Sequence, residues 1–80
     1  MPTIARIGPF RFFFYSNEGT EPPHVHVQQG SRVAKFWLSP VALAVSGGFS
    51  AVDLRVLEEL VTEHRQNFME AWNEFFGSGA

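Results

Sequence analysis

Two hydrophobic periods divide the chain. Up to about residue 49, runs of β-branched and aromatic residues alternate in character every second position and are separated by turn formers, the pattern of half-buried strands. Thr3–Ile7 is the first predicted strand, Gly8-Pro9 breaks it, and Phe10–Tyr15 (FRFFFY) is the second. Residues 16–23 (SNEGTEPP) form a loop whose two prolines hold its end extended. His24–Gln28 is the third strand, Gln29-Gly30-Ser31 a turn, and Arg32–Leu38 the fourth, ended by Pro40. Val41–Val45 is a candidate fifth strand at the sheet edge before Gly47-Gly48.

From Ser50 onward the apolar residues recur at spacings of three and four: Leu54, Leu57, Val61, His64, Phe68, Ala71 and Phe75. This seam predicts one long amphipathic helix over 50–77. Ser50 and Asp53 fit its N-terminal cap, and Gly77 fits a left-handed stop. The interior holds neither glycine nor proline, so nothing in the sequence breaks it. At about 1.5 Å per residue such a helix runs roughly 40 Å, more than a small sheet covers. The last turns, with Trp72, Phe75 and Phe76, are expected to overhang the sheet, leaving Trp72 and Phe76 exposed, and either fold back or dock another chain. The predicted class is α+β: a small twisted antiparallel sheet of four to five strands on one C-terminal helix, ββββ(β)α, as one domain over 1–80.

Eighty residues leave room for one small core and exclude a two-domain enzyme. A core of this size is marginal, which makes a partner chain or a homodimer an expected source of stability. The absence of cysteine removes disulfides, thiolate nucleophiles and cysteine zinc sites, and fits a reducing compartment. Met1-Pro2-Thr3 leads directly into a strand, and no apolar run nears the ~20 residues of a membrane span. A cytoplasmic protein without a membrane role is expected. The formal net charge of −2 hides an asymmetry: residues 1–49 carry four basic and two acidic residues, residues 50–80 two basic and six acidic. Four positive charges permit, without requiring, a nucleic-acid surface on the first half.

Alternation sorts the strand side chains into two faces. Phe10, Phe12, Phe14, Val25, Val27, Ala34, Phe36 and Leu38 form an apolar floor for the helix. Arg11, Phe13, Tyr15, His24, His26, Lys35 and Trp37 form a cationic, aromatic face that does not need the helix. Such a face serves RNA, by stacking on bases and neutralising phosphates. It serves a protein interface equally, through the same tyrosine, tryptophan and arginine chemistry. A merely amphipathic outer face is the third reading.

His24-x-His26 is the sharpest local chemistry, since a spacing of two on a strand points both imidazoles to one side. With Tyr15 and Lys35 beside them, they are candidate catalytic groups for metal-independent RNA cleavage, one taking a proton and another giving one. As a metal site the pair is incomplete. A third ligand would come from Glu18, Glu21 or His64, and His64 lies on the helix seam under the opposite face, so no metal or cofactor is expected. The bland alternative has both imidazoles bonded to the loop at Ser16-Asn17-Glu18 and fixing its shape. Arg11, Phe13, Asn17, Glu18, Trp37 and Trp72 are the candidate binding residues. The helix glutamates read as a solvated face, and no phosphate-loop, dinucleotide or serine-nucleophile pattern is present.

The opening M-P-T-I, R-F-F-F-Y-S-N-E (11–18), P-P-H-V-H-V (22–27), A-K-F-W-L-x-P (34–40), G-F-S (48–50) and E-A-W-N-E-F-F-G (70–77) together resemble the bacterial domain of unknown function 4160 family. The resemblance spans nearly the whole chain. Its most distinctive polar positions fall at Tyr15, Ser16, Asn17, Glu18, His24 and His26. It implies a small protein often encoded beside a second small protein, an arrangement like a toxin-antitoxin pair in which this chain is the toxin. Two functional expectations follow. The first is a toxin-like component acting on RNA or translation through the histidine face and neutralised by a cognate protein. The second is a non-catalytic protein-binding module.

Overall fold

The structure, a computed structural model, describes residues 3–77; the Met1-Pro2 opening of the family resemblance lies outside them. Five strands, β1 (Thr3–Ile7), β2 (Phe10–Phe13), β3 (His24–Gln29), β4 (Arg32–Leu38) and β5 (Val41–Val45), precede two helices, α1 (Ala51–Glu63) and α2 (Arg65–Phe76). The strands pair antiparallel in chain order, β1-β2-β3-β4-β5, so β1 and β5 form the edges.

Hairpin chemistry explains the simple order. Gln29 pairs with Arg32 across the two-residue turn Gly30-Ser31, and Gly30 has φ 62°, the positive value that the first position of a tight hairpin turn demands. Ser39-Pro40 turns the chain from β4 into β5, so the fifth strand does form. The strand predicted over Phe10–Tyr15 ends at Phe13, because Phe14 and Tyr15 leave the ladder as the chain enters the loop.

The apolar floor lies where alternation put it. Phe12, Phe14, Val25, Val27, Ala34, Phe36 and Leu38 are buried, and Leu57, Val61, Phe68 and Trp72 pack down on them from the helices. Each such large side chain contributes about 1.5–3 kcal/mol by leaving water. Ser50 Oγ accepts the Asp53 N–H at 3.1 Å and starts α1, while Gly77, at φ 63°, stops α2 in the left-handed region.

The single long helix is corrected to two. His64 takes φ −103° and ψ 14° between them, and no glycine or proline is involved. Backbone hydrogen bonds continue on both sides, His64 N–H to Leu60 O and Phe68 N–H to His64 O, while Arg65 Nε donates to Leu38 O at 2.6 Å across to the end of β4. The consequence is a change of phase. Phe75 lies about five turns beyond Leu57 and would share its face in an unbroken helix. Instead Phe75 is exposed, and Trp72, expected exposed, is buried beside the half-buried Phe76. The break at His64 thus turns Trp72 inward over Phe14, ring centroids 5.3 Å apart. The last turns fold back on this chain's own core. No helix among the described residues is long and apolar enough to cross a membrane.

Candidate functional site

The loop between β2 and β3 folds over the start of β3 instead of extending into solvent. Glu21 N–H bonds Glu18 O at 3.1 Å to close a turn, and Leu38 N–H bonds Pro23 O at 3.0 Å, fixing the loop's end to the end of β4. Behind it, Gly19 lies against the Phe76 ring. These contacts bring the Glu18 carboxylate back onto the strand.

Strand alternation does the rest. His24 and His26 point to one side of β3, and Glu18 Oε1 stands 2.7 Å from the Nε2 atom of each. His24 is fully buried, its ring against Trp72 at 4.9 Å and Trp37 at 5.6 Å. His26 stacks on Phe13 at 5.4 Å and meets the Tyr15 ring edge-on at 4.5 Å. The face expected to stand open is therefore closed at its centre: Phe13, His24 and His26 are all buried. Glu18 on the loop, Trp72 on α2 and the neighbouring rings of Tyr15 and Trp37 cover it, and the strand pattern alone places neither the loop nor Trp72.

Hydrogen positions at His24 follow from its partners. The Pro22 carbonyl, 2.9 Å from Nδ1, accepts only, so Nδ1 carries a proton. A neutral His24 then turns the lone pair of Nε2 toward a carboxylate oxygen. A proton or another cation has to lie between them.

Burial works to raise the Glu18 carboxyl, but hydrogen bonds from His24 and His26 and their charges outweigh it and hold the carboxyl below its ordinary range. Burial pushes the His26 imidazole below its usual value, reinforced by the charges of His24 and Lys35 and partly offset by the Glu18 hydrogen bond and charge. The ligand atoms of Glu18, His24 and His26 lie within 4.8 Å of one another, a grouping able to hold a metal ion.

Around this centre the face stays half-exposed. Lys35 Nζ bonds Glu21 Oε1 at 2.6 Å and lies 4.5 Å over the Trp37 ring. Arg11 donates from Nε to Thr3 Oγ1 at 2.7 Å and from a terminal nitrogen to Gln28 Oε1 at 2.8 Å, and covers Phe13 at 4.5 Å. Asn17 is exposed on the loop. Of the candidate residues, the structure thus brings together Phe13, Tyr15, Glu18, His24, His26, Trp37 and Trp72, with Lys35 and Arg11 at the rim. His64 stands apart, its Nε2 3.5 Å from Glu63 and its ring beside Phe68. Sequence reasoning missed Gln28 as the partner of Arg11 and Pro22 as the acceptor for His24. Gln28 was findable, two residues after His26 and on the same side; a backbone carbonyl carries no signal.

Residues 10–73 match a family model described as Domain of unknown function (DUF4160). No curated protein and no solved structure matches the chain.

Proposed function

The chain belongs to the domain of unknown function 4160 family, and from that premise we propose that it works by binding a partner protein, as one half of a two-protein module of toxin-antitoxin type. An extended segment of the partner adds to the sheet along β5. One observation carries this reading: β5 is an edge strand of sequence VALAV with no charge and no proline, and Leu43 and Val45 on it are 45% and 52% exposed. Edge strands normally carry charges, prolines or a covering segment that block pairing. An uncharged apolar edge is a template for β-augmentation, with main-chain bonds giving affinity and side-chain pockets giving selectivity. A cleft of about 240 Å³ lies beside Leu43, between Phe36 and the Ala51, Leu54, Arg55 and Glu58 side of α1, and suits an apolar side chain of the added strand.

Co-expression with a small protein encoded beside a member of this family, the arrangement the resemblance implies, tests the reading. Leu43→Lys and Val45→Lys are expected to weaken the complex by at least about 10-fold, roughly 1.4 kcal/mol, because the charge is desolvated on pairing. A complex of unchanged affinity in both variants would remove β5 from the interface.

A second reading has its own observation. Arg11, Tyr15, Lys35 and Trp37 remain half-exposed around the buried histidines, supplying positive charge and aromatic planes of the kind that hold single-stranded RNA. On this reading the chain is the toxin and acts on RNA or translation, with His26 nearest the rim. Arrest of bacterial growth by the wild type and not by a folded His26→Ala variant is the expected result. Equal arrest by both would exclude His26 from the action.

A further inference from the structure

We propose that Glu18, His24 and His26 form a binding site for one divalent transition-metal ion. This goes beyond the partner-docking reading and does not depend on it.

The argument begins at His24. Its Nδ1–H is committed to the Pro22 carbonyl at 2.9 Å, which fixes the tautomer with the Nε2 lone pair directed at Glu18 Oε1, 2.7 Å away. A backbone carbonyl on the far nitrogen is the usual outer support of a metal-bound histidine, since it sets the ring's orientation and raises the basicity of the ligating nitrogen. His26 Nε2 approaches the same oxygen at 2.7 Å. One oxygen then serves two imidazoles, whereas one cation between the three atoms satisfies all of them at once.

The geometry suits a small ion. Metal–nitrogen and metal–oxygen bonds of about 2.0–2.2 Å place neighbouring ligand atoms roughly 3.0–3.5 Å apart, from octahedral to tetrahedral angles, so the two 2.7 Å contacts need open by about 0.3–0.8 Å. The donor set selects the class. Two neutral imidazoles and one carboxylate suit zinc, iron, cobalt or nickel, and disfavour calcium and magnesium, which take oxygen ligands.

The surroundings allow the charge. Lys35 is the cross-strand neighbour of His26, and Glu21 neutralises it at 2.6 Å. Glu18 keeps 19% of its side-chain exposure, so the cluster is reachable from solvent through the carboxylate. Closed structural zinc sites use four protein ligands; three with an open side are the pattern of sites that bind a further group. Trp37 and Trp72 wall the centre on the His24 side and keep the ion partly dry.

The test uses the full chain, freed of metal by chelation and dialysis. Zn²⁺ is titrated by calorimetry, and Co²⁺ by its visible absorption. One ion per chain is expected, with Co²⁺ bands of nitrogen-oxygen coordination. Glu18→Gln and His26→Ala, checked for folding by circular dichroism, are expected to lose at least about 10-fold in affinity, while Glu63→Gln, beside the remote His64, leaves it unchanged. Bound Zn²⁺ raises the wild-type Tm by mass action and leaves that of Glu18→Gln in place. Imidazole nitrogen NMR of the wild type does not depend on any variant folding: Zn²⁺ is expected to shift Nε2 of His24 and His26 and not the His64 ring. No uptake by the wild type, with protons retained between the imidazoles and Glu18, would overturn the proposal in favour of a proton-sharing cluster. Uptake that shifts only His64, or that is unaltered in both ligand variants, would overturn it as well.

Discussion

Phe76 lies so close to Gly19 that a Cβ added at position 19 would stand 2.6 Å from its ring. The contact joins the last turn of α2 to the loop that carries Glu18. The helix end, expected to overhang, packs instead on the loop next to the candidate site's carboxylate. Gly19→Ala is therefore expected to cost about 1–3 kcal/mol through overpacking. In a Phe76→Ala background the same substitution costs much less, because the clash is gone. A double-mutant cycle by urea denaturation measures the coupling, and additive costs would show that the contact carries no energy.

Gly47 separates two reasons for a glycine. At Gly30 the backbone needs positive φ but a Cβ would meet nothing within 4 Å, whereas at Gly47, also at φ 62°, it would stand against the Val33 carbonyl. Gly30→Ala is expected to cost about 1 kcal/mol from conformation alone. Gly47→Ala is expected to cost several times more, because backbone cannot swing aside as a side chain does. Chemical denaturation of the two variants checks the order; equal costs would contradict it.

Arg65 fixes the helix break to the sheet through its 2.6 Å bond to the Leu38 carbonyl. Arg65→Met keeps most of the apolar stem and removes the donor, so the expected cost is about 1–2 kcal/mol. A thermal melt measures it. An unchanged Tm would mean that the break is held by packing of Phe68 and Trp72 alone.

Ser50 caps α1 through one hydrogen bond to the Asp53 N–H. Ser50→Ala is expected to cost about 1 kcal/mol, and Ser50→Asp to retain nearly all of the stability. Denaturant midpoints of the three proteins decide this, and equal loss in both variants would mean that the side chain does not cap.

The sheet was legible because each signal is local. Alternation and turn residues place β1 and β4 at the observed bounds, and the Gly30-Ser31 turn sets the register of His24 against Trp37. The His24-x-His26 spacing likewise placed both imidazoles on one side. What escaped depends on contacts distant in sequence. The reading in which both imidazoles bond the loop at Ser16-Asn17-Glu18 agrees with the Glu18 contacts, but nothing in SNEGTEPP gives the packing of Phe76 on Gly19 or the burial of Phe13, His24 and His26. The helix phase escaped for another reason. Ala71 and Phe75 continue the seam as well as Trp72 and Phe76 do, and only the turn at His64 chooses between them. Glu18 was named both as a binding residue and as one of three candidate third ligands, and only the folded loop singles it out.

Amide hydrogen exchange across Val41–Val45, with and without the proposed partner protein, tests the docking reading most directly. The account predicts that the partner slows exchange along β5 and leaves the Arg11 and Trp37 face unchanged. Protection confined to that face, with β5 exchanging as in the free chain, would contradict it.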